Sequence, residues 1–154
     1  MVDNRIRRGH SGLFTWSNIA LKKERASLTN RQVALICTTD MATQFHIHPI
    51  LRIIANGKPQ EIPANIGIKG GCMNPLHTHD ASGVLHVESP EKRDFTVADF
   101  FAVWGQPFSK DQILNYKADA MHPIRTSVNG TSVDTNENTV LRDKDQIVIT
   151  YGNE

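Results

Sequence analysis

Two Asn-Gly dipeptides, Asn56-Gly57 and Asn129-Gly130, do most to limit what this chain can become. Each follows an alternating or β-branched run, Phe45 to Ala55 in one case and Ile124 to Val128 in the other. A type I′ turn needs positive φ at both central residues, which Asn and Gly tolerate, and its twist matches that of paired strands. The sequence therefore predicts two hairpins. The first returns over about Gln60 to Ile68, where Pro59 and Pro63 favour an edge or irregular pairing. The second returns over Thr131 to Val133, and Gln146 to Tyr151 reads as a final strand. Lys69-Gly70-Gly71 marks a turn, and Cys72 to Gly83 reads as a loop interrupted by Pro75. Val84 to Glu88 and Gln32 to Cys37 read as further strands.

Helical periodicity is clear in one place. Val97, Phe100, Phe101 and Trp104 fall at i, i+3, i+4 and i+7, an apolar stripe suited to core packing rather than to stacking on a cofactor. Thr96 offers a capped start and Asp99 suits the first turn. Gly105 ends the helix and Pro107 prevents its resumption. Ser109 with Gln112 suggests the start of a second short helix. These elements describe a mainly β domain of the α+β class. The expected architecture is a small antiparallel β-sandwich or barrel-like fold with Asn-Gly hairpins and one packed amphipathic helix.

A chain of 154 residues suits one domain with a real core. Charge divides it. Arg5, Arg7, Arg8, Lys22, Lys23, Arg25 and Arg31 face only Asp3 and Glu24 in the early part, so residues 1–30 read as a basic arm and 31–154 as the β-rich domain. Such an arm is expected to be solvated or to dock on the chain's own acidic face. The net charge of +1 gives no reason to expect a specific nucleic-acid partner. No apolar run approaches the roughly 20 residues of a transmembrane helix, and Met1 to Ser27 lacks the apolar centre of a secretory signal. Edge strands beside the hairpins leave strand pairing between copies, a homo-oligomer, as an open expectation.

The chemistry lies between Cys37 and His86. His46-Ile-His48 and His77-Thr-His79 are two His-x-His pairs, and His86 follows in an alternating stretch. In a strand, residues i and i+2 point the same way about 7 Å apart, so His46 and His48 can present both rings to one ion, while the loop that carries His77 and His79 can bend toward it. His46, His48, His77, His79 and His86 are thus the candidate ligands of one transition-metal ion, copper or zinc. Asp80 and Glu88 are candidates to orient a histidine, to ligate, or to act as a base toward metal-bound water. Cys37 and Cys72 suit either a disulfide or thiolate ligation. His10 and His122 stand apart from the set. Three functions remain open on these residues: metal binding or handling with redox use if the ion is copper; a mononuclear metalloenzyme, oxidoreductase or hydrolase; and a structural or interaction module whose histidines hydrogen-bond within the fold. No Gly-rich phosphate loop, nucleophile elbow or Cys-x-x-Cys occurs.

The strings His46-Ile-His48, Ile62-Pro-Ala-Asn-Ile-Gly-Ile68, Leu76-His-Thr-His-Asp80, His86-Val-Glu-Ser-Pro90 and Val103-Trp-Gly-Gln-Pro107, with Cys72 between them, carry a resemblance. From Cys37 to the last strand the chain resembles a family of small, largely uncharacterised bacterial and archaeal proteins. The resemblance implies a recurring module, often exported or anchored at a membrane, and hence an extracytoplasmic setting. It implies no activity.

Overall fold

The computed structural model describes residues 13–39 and 43–153, with side chains described from residue 19 onward. The early basic residues Arg5, Arg7 and Arg8 and the isolated His10 lie outside the described residues. Two helices come first, α1 (Leu13–Ser27) and α2 (Asn30–Ala34). The strand expected at Gln32 to Cys37 is therefore replaced in its first half by helix. The reason is local: Thr29 Oγ1 accepts the Gln32 N–H at 3.1 Å, and Gln32 Oε1 accepts the Thr29 N–H at 2.9 Å. This reciprocal cap is the Thr-x-x-Gln signature, and it outweighs the β propensity of the residues that follow.

The expected strand Phe45 to Ala55 is two strands, β1 (Phe45–Ile47) and β2 (Ile50–Ala55). Pro49 divides them, because it has no N–H to donate to a ladder. Its carbonyl accepts the Leu85 N–H at 2.9 Å instead. The break lets β1 and β2 join different sheets.

Beyond it, β2 turns through Asn56-Gly57 (φ 50° and 73°) into β3 (Lys58–Gln60). The return strand stops there, short of the expected Ile68, since Pro63 interrupts further pairing. Then come β4 (Ile68–Lys69), β5 (Cys72–Met73), β6 (Leu76–His77) and β7 (His86–Ser89). The stretch read as a loop from Cys72 to Gly83 thus contains two short strands, held by long-range partners that composition does not reveal. Helix α3 (Val97–Trp104) follows as expected, ending at Gly105 with φ 75°. The helix expected at Ser109 is a hairpin of β8 (Phe108–Ser109) and β9 (Gln112–Ile113), extended by β10 (Tyr116–Lys117). Ser109 Oγ accepts the Asp111 N–H at 3.1 Å, so the hydroxyl builds a turn where it was expected to cap a helix. Finally β11 (Ile124–Val128) turns through Asn129-Gly130 (φ 51° and 81°) into β12 (Thr131–Val133), and β13 (Gln146–Tyr151) closes the fold.

The β-rich α+β class is as the sequence implied. The main sheet runs β12-β11-β13-β2-β3. Its pairing of β13 with β2 is parallel, while the other strand pairs among the described residues are antiparallel. Register aligns Leu51 with Ile147, Ile53 with Ile149 and Ala55 with Tyr151, all buried, so the two strands bury one continuous apolar row. Phe95, Phe100, Phe101, Leu76, Leu85 and Val87 complete the core. No helix among the described residues is long and apolar enough to cross a membrane.

Helix α3 carries a polar anchor within this core. Asp99, with its side chain 6% exposed, accepts the Thr96 N–H at 2.9 Å and the Arg31 Nε–H at 2.7 Å. One carboxylate thereby caps α3 and ties α2 to it. Asp99→Ala removes both bonds and is expected to cost about 2 kcal/mol, on the scale of a lost cap and a charged hydrogen bond. Urea unfolding monitored by circular dichroism would measure it.

Candidate metal centre

A second sheet, ordered β1-β7-β6, carries the site. The antiparallel register puts His46 opposite Glu88 and His77 opposite His86. Cross-strand partners share a face, as do residues i and i+2, so His46, Glu88, His86 and His77 project from one side. His48 and His79 continue the same rows just past the strand ends. The residues between them go the other way: Thr78, Leu85 and Val87 are fully buried, and Ile47 packs against the core. Thr78 is pinned as well, its hydroxyl donating to Pro63 O at 2.8 Å and accepting the Ile66 N–H at 3.0 Å. Hydrophobic burial on one side of the sheet thus sets the imidazoles on the other.

All five candidate histidines meet. Ring centroids of His46 and His48 are 4.4 Å apart, those of His48 and His86 4.7 Å, and those of His46 and His86 6.0 Å. On the far side of His86, His77 lies at 5.4 Å and His79 at 4.5 Å, with 4.9 Å between those two. Two triads result, His46–His48–His86 and His77–His79–His86. In each, one ligand atom per residue lies within 4.8 Å of the others, so the chain has histidine clusters able to hold a metal ion. Glu88 sits among them. Its Oε1 lies 3.0 Å from His46 Nε2, 3.8 Å from His86 Nδ1 and 3.9 Å from His77 Nε2.

The buried member is held most firmly. His77 has no exposed side-chain surface, and its Nδ1–H donates to Asn74 O at 2.9 Å. The acceptor is a carbonyl, so the proton sits on Nδ1 and Nε2 presents its lone pair to the cluster. Asn74 is fixed in turn by its side-chain amide, which donates to Ala34 O of α2 at 3.0 Å. Behind His77, Gly67 (φ 72°) comes so close that a Cβ there would lie 2.5 Å from Leu76 O and 3.2 Å from His77 Cβ. Only glycine allows that approach.

Electrostatics keeps the inner rings neutral. Burial lowers the His77 pKa below its usual 6.5, outweighing the Asn74 carbonyl and Glu88, which raise it. Burial likewise lowers His86, helped by its neighbours His79, His48 and His77 and opposed by Glu88. An unfolded chain takes up protons on these rings near pH 6.5, whereas the folded one resists until lower pH. The stability they contribute is complete above about pH 6.5 and is lost as pH falls through the folded values. Metal-free protein in chelator is therefore expected to melt at a lower temperature at about pH 5 than at about pH 7.5. A flat thermal profile across that window would contradict the assignment.

The remaining candidates divide. Asp80 is exposed, and its Oδ1 accepts the Ser82 N–H at 2.9 Å, a turn contact that lowers its pKa together with the Ser82 hydroxyl. Cys37 and Cys72 form a disulfide with Cα atoms 5.4 Å apart, so in this state neither sulfur is a thiolate ligand. The bridge clamps the segment after α2 to β5, two residues before Asn74. His122 lies away from the cluster, in a turn with Asp119 Oδ1 2.9 Å from its Nδ1, and stacks on Tyr151. Asn74 and Gly67, which orient His77, were not singled out from the sequence. Neither residue type at those spacings carries a readable signal. Comparison with known proteins brings no family to the site: no family model, curated protein or solved structure matches the chain.

Proposed function

We propose that this protein binds a transition-metal ion, copper or zinc, on the histidine face of the β1-β7-β6 sheet and serves in metal handling. One observation carries the reading. His77 Nε2 and His86 Nδ1 are buried and have no hydrogen-bond partner among the described residues. Burying an unpaired polar atom costs about 1–3 kcal/mol, so two side by side in one cluster need a compensating partner. A cation coordinated by their lone pairs is that partner. A role for the histidines as internal hydrogen-bonding struts fits poorly with two ring nitrogens left unpaired.

The donor set favours particular ions. Imidazole nitrogens with one carboxylate suit Cu2+ and Zn2+ better than Cu+, which prefers thiolate and thioether sulfur. Between the two, Cu2+ binds nitrogen donors more tightly, so it should prevail where both are free. The disulfide fits an oxidising compartment, in keeping with the extracytoplasmic setting suggested by the family resemblance. His46 and His79 are exposed, which leaves the face open to an arriving ion.

The test is elemental analysis of untagged protein, followed by titration of the metal-free form with Cu2+ and Zn2+. At least one tightly bound equivalent is expected. Less than a tenth of an equivalent, with no rebinding after metal removal, would overturn the reading.

A further inference from the structure

We infer that the histidine face holds two metal ions rather than one, with His86 as their common ligand. This rests on the metal-binding reading above and adds stoichiometry and architecture to it. The site has more donors than one ion uses, since zinc takes four and Cu2+ favours four in a plane. Here there are five imidazoles and a carboxylate.

Their arrangement is also divided. The ring contacts among these histidines sort completely into the two triads: 46–48, 46–86 and 48–86 on one side, 77–79, 77–86 and 79–86 on the other. Strand order explains the division. β7 lies between β1 and β6, so His46 and His48 approach His86 from one flank and His77 and His79 from the other. Outer strands in a three-stranded sheet are about 10 Å apart, which suits two ions better than convergence of both pairs on one.

Glu88 reinforces the pairing. Its Oε1 is 3.0 Å from His46 Nε2 of the first triad and lies, beyond hydrogen-bond distance, 3.9 Å from His77 Nε2 of the second and 3.8 Å from His86 Nδ1 of both. A carboxylate so placed offsets the charge of two adjacent dications. For His86 to bind both ions, each must take one ring nitrogen. The ring then gives up its remaining N–H proton to solvent and becomes an imidazolate bridge. No electron is transferred in this step.

Cu2+ titration of the metal-free, disulfide-intact protein, followed by electron paramagnetic resonance, separates the outcomes. The wild type is expected to bind two equivalents, with resonance intensity well below that of two isolated Cu2+ ions because the bridged spins couple. His79→Gln, at an exposed position, and the double variant His46→Gln/His48→Gln each disable one triad. Each should retain one equivalent with an ordinary single-ion signal. Saturation of the wild type at one equivalent would overturn the two-ion inference and leave the metal-binding reading intact. Two equivalents with full, uncoupled intensity would overturn the shared ligand. No binding at all would remove both readings together.

Discussion

His86→Gln is expected to cost the protein its affinity for Cu2+ by well over ~100-fold, beyond the ~10–100-fold typical of losing a group that merely orients a ligand. The reason is position. His86 is the one ring in contact with all four other candidate histidines, so both triads lose a member at once. Thermal denaturation gives the readout. An ion held at about 1,000 times its dissociation constant stabilises the folded state by about 4 kcal/mol. For a domain of this size that is a rise in melting temperature of roughly 8–16 °C. The wild type should show this rise on adding Cu2+, and His86→Gln should show almost none. Without metal the two proteins should melt within a few degrees of each other, because the ring is partly exposed and its Nδ1 has no partner to lose. Equal metal-induced shifts in both proteins would mean that His86 is not a ligand.

Replacing Cys37 and Cys72 together by serine is the second large effect. The bridge spans a sequence separation of 35, which on the chain-entropy model stabilises by about 4 kcal/mol. A fall in melting temperature of roughly 8–16 °C is expected, and reduction of the wild type should reproduce it. The loss should not stop at stability. Thr38 and Met73 exchange two backbone hydrogen bonds beside the bridge, at 2.9 and 3.0 Å. The next residue, Asn74, holds the Nδ1 proton of His77. Loosening this corner frees His77 to rotate or change tautomer, so metal affinity should fall as well. Titration of the Cys37→Ser/Cys72→Ser variant, which has no thiol to bind or reduce Cu2+, below its melting temperature tests that link. An unchanged affinity would show that Asn74 stays in place without the bridge.

What was legible in the sequence follows from the range of each interaction. The Asn-Gly turns, the α3 stripe with its Gly105 stop, and the i, i+2 spacing of the histidine pairs are all set within a few residues, and each could be read directly. The α2 cap is equally local, and its Thr29-x-x-Gln32 box decides for helix against the strand propensity of the apolar residues after it. Other features depend on partners far along the chain. His77 belongs to a strand only because β7 pairs with β6, and although Pro49 breaks the strand locally, which sheet each half joins depends on distant partners. Glu88 could be placed on the His86 face by alternation, but its approach to His46 needs the β1–β7 register. That His86 stands between the two pairs follows from strand order, which no periodicity encodes.

The ladder of backbone hydrogen bonds beneath the imidazoles has a kinetic meaning. Core burial and strand register already fix the strands that bear His46, His77 and His86, so on the proposed reading loading would require little ordering of the chain. Capture would then run at the pace at which a hydrated ion sheds its water, and release would be slow, since the strand-borne donors His46, His77 and His86 are held together by the ladder. On the metal-binding reading proposed above, such a protein would trap scarce ions, and giving them up would call for a competing chelator, a change of oxidation state or acid.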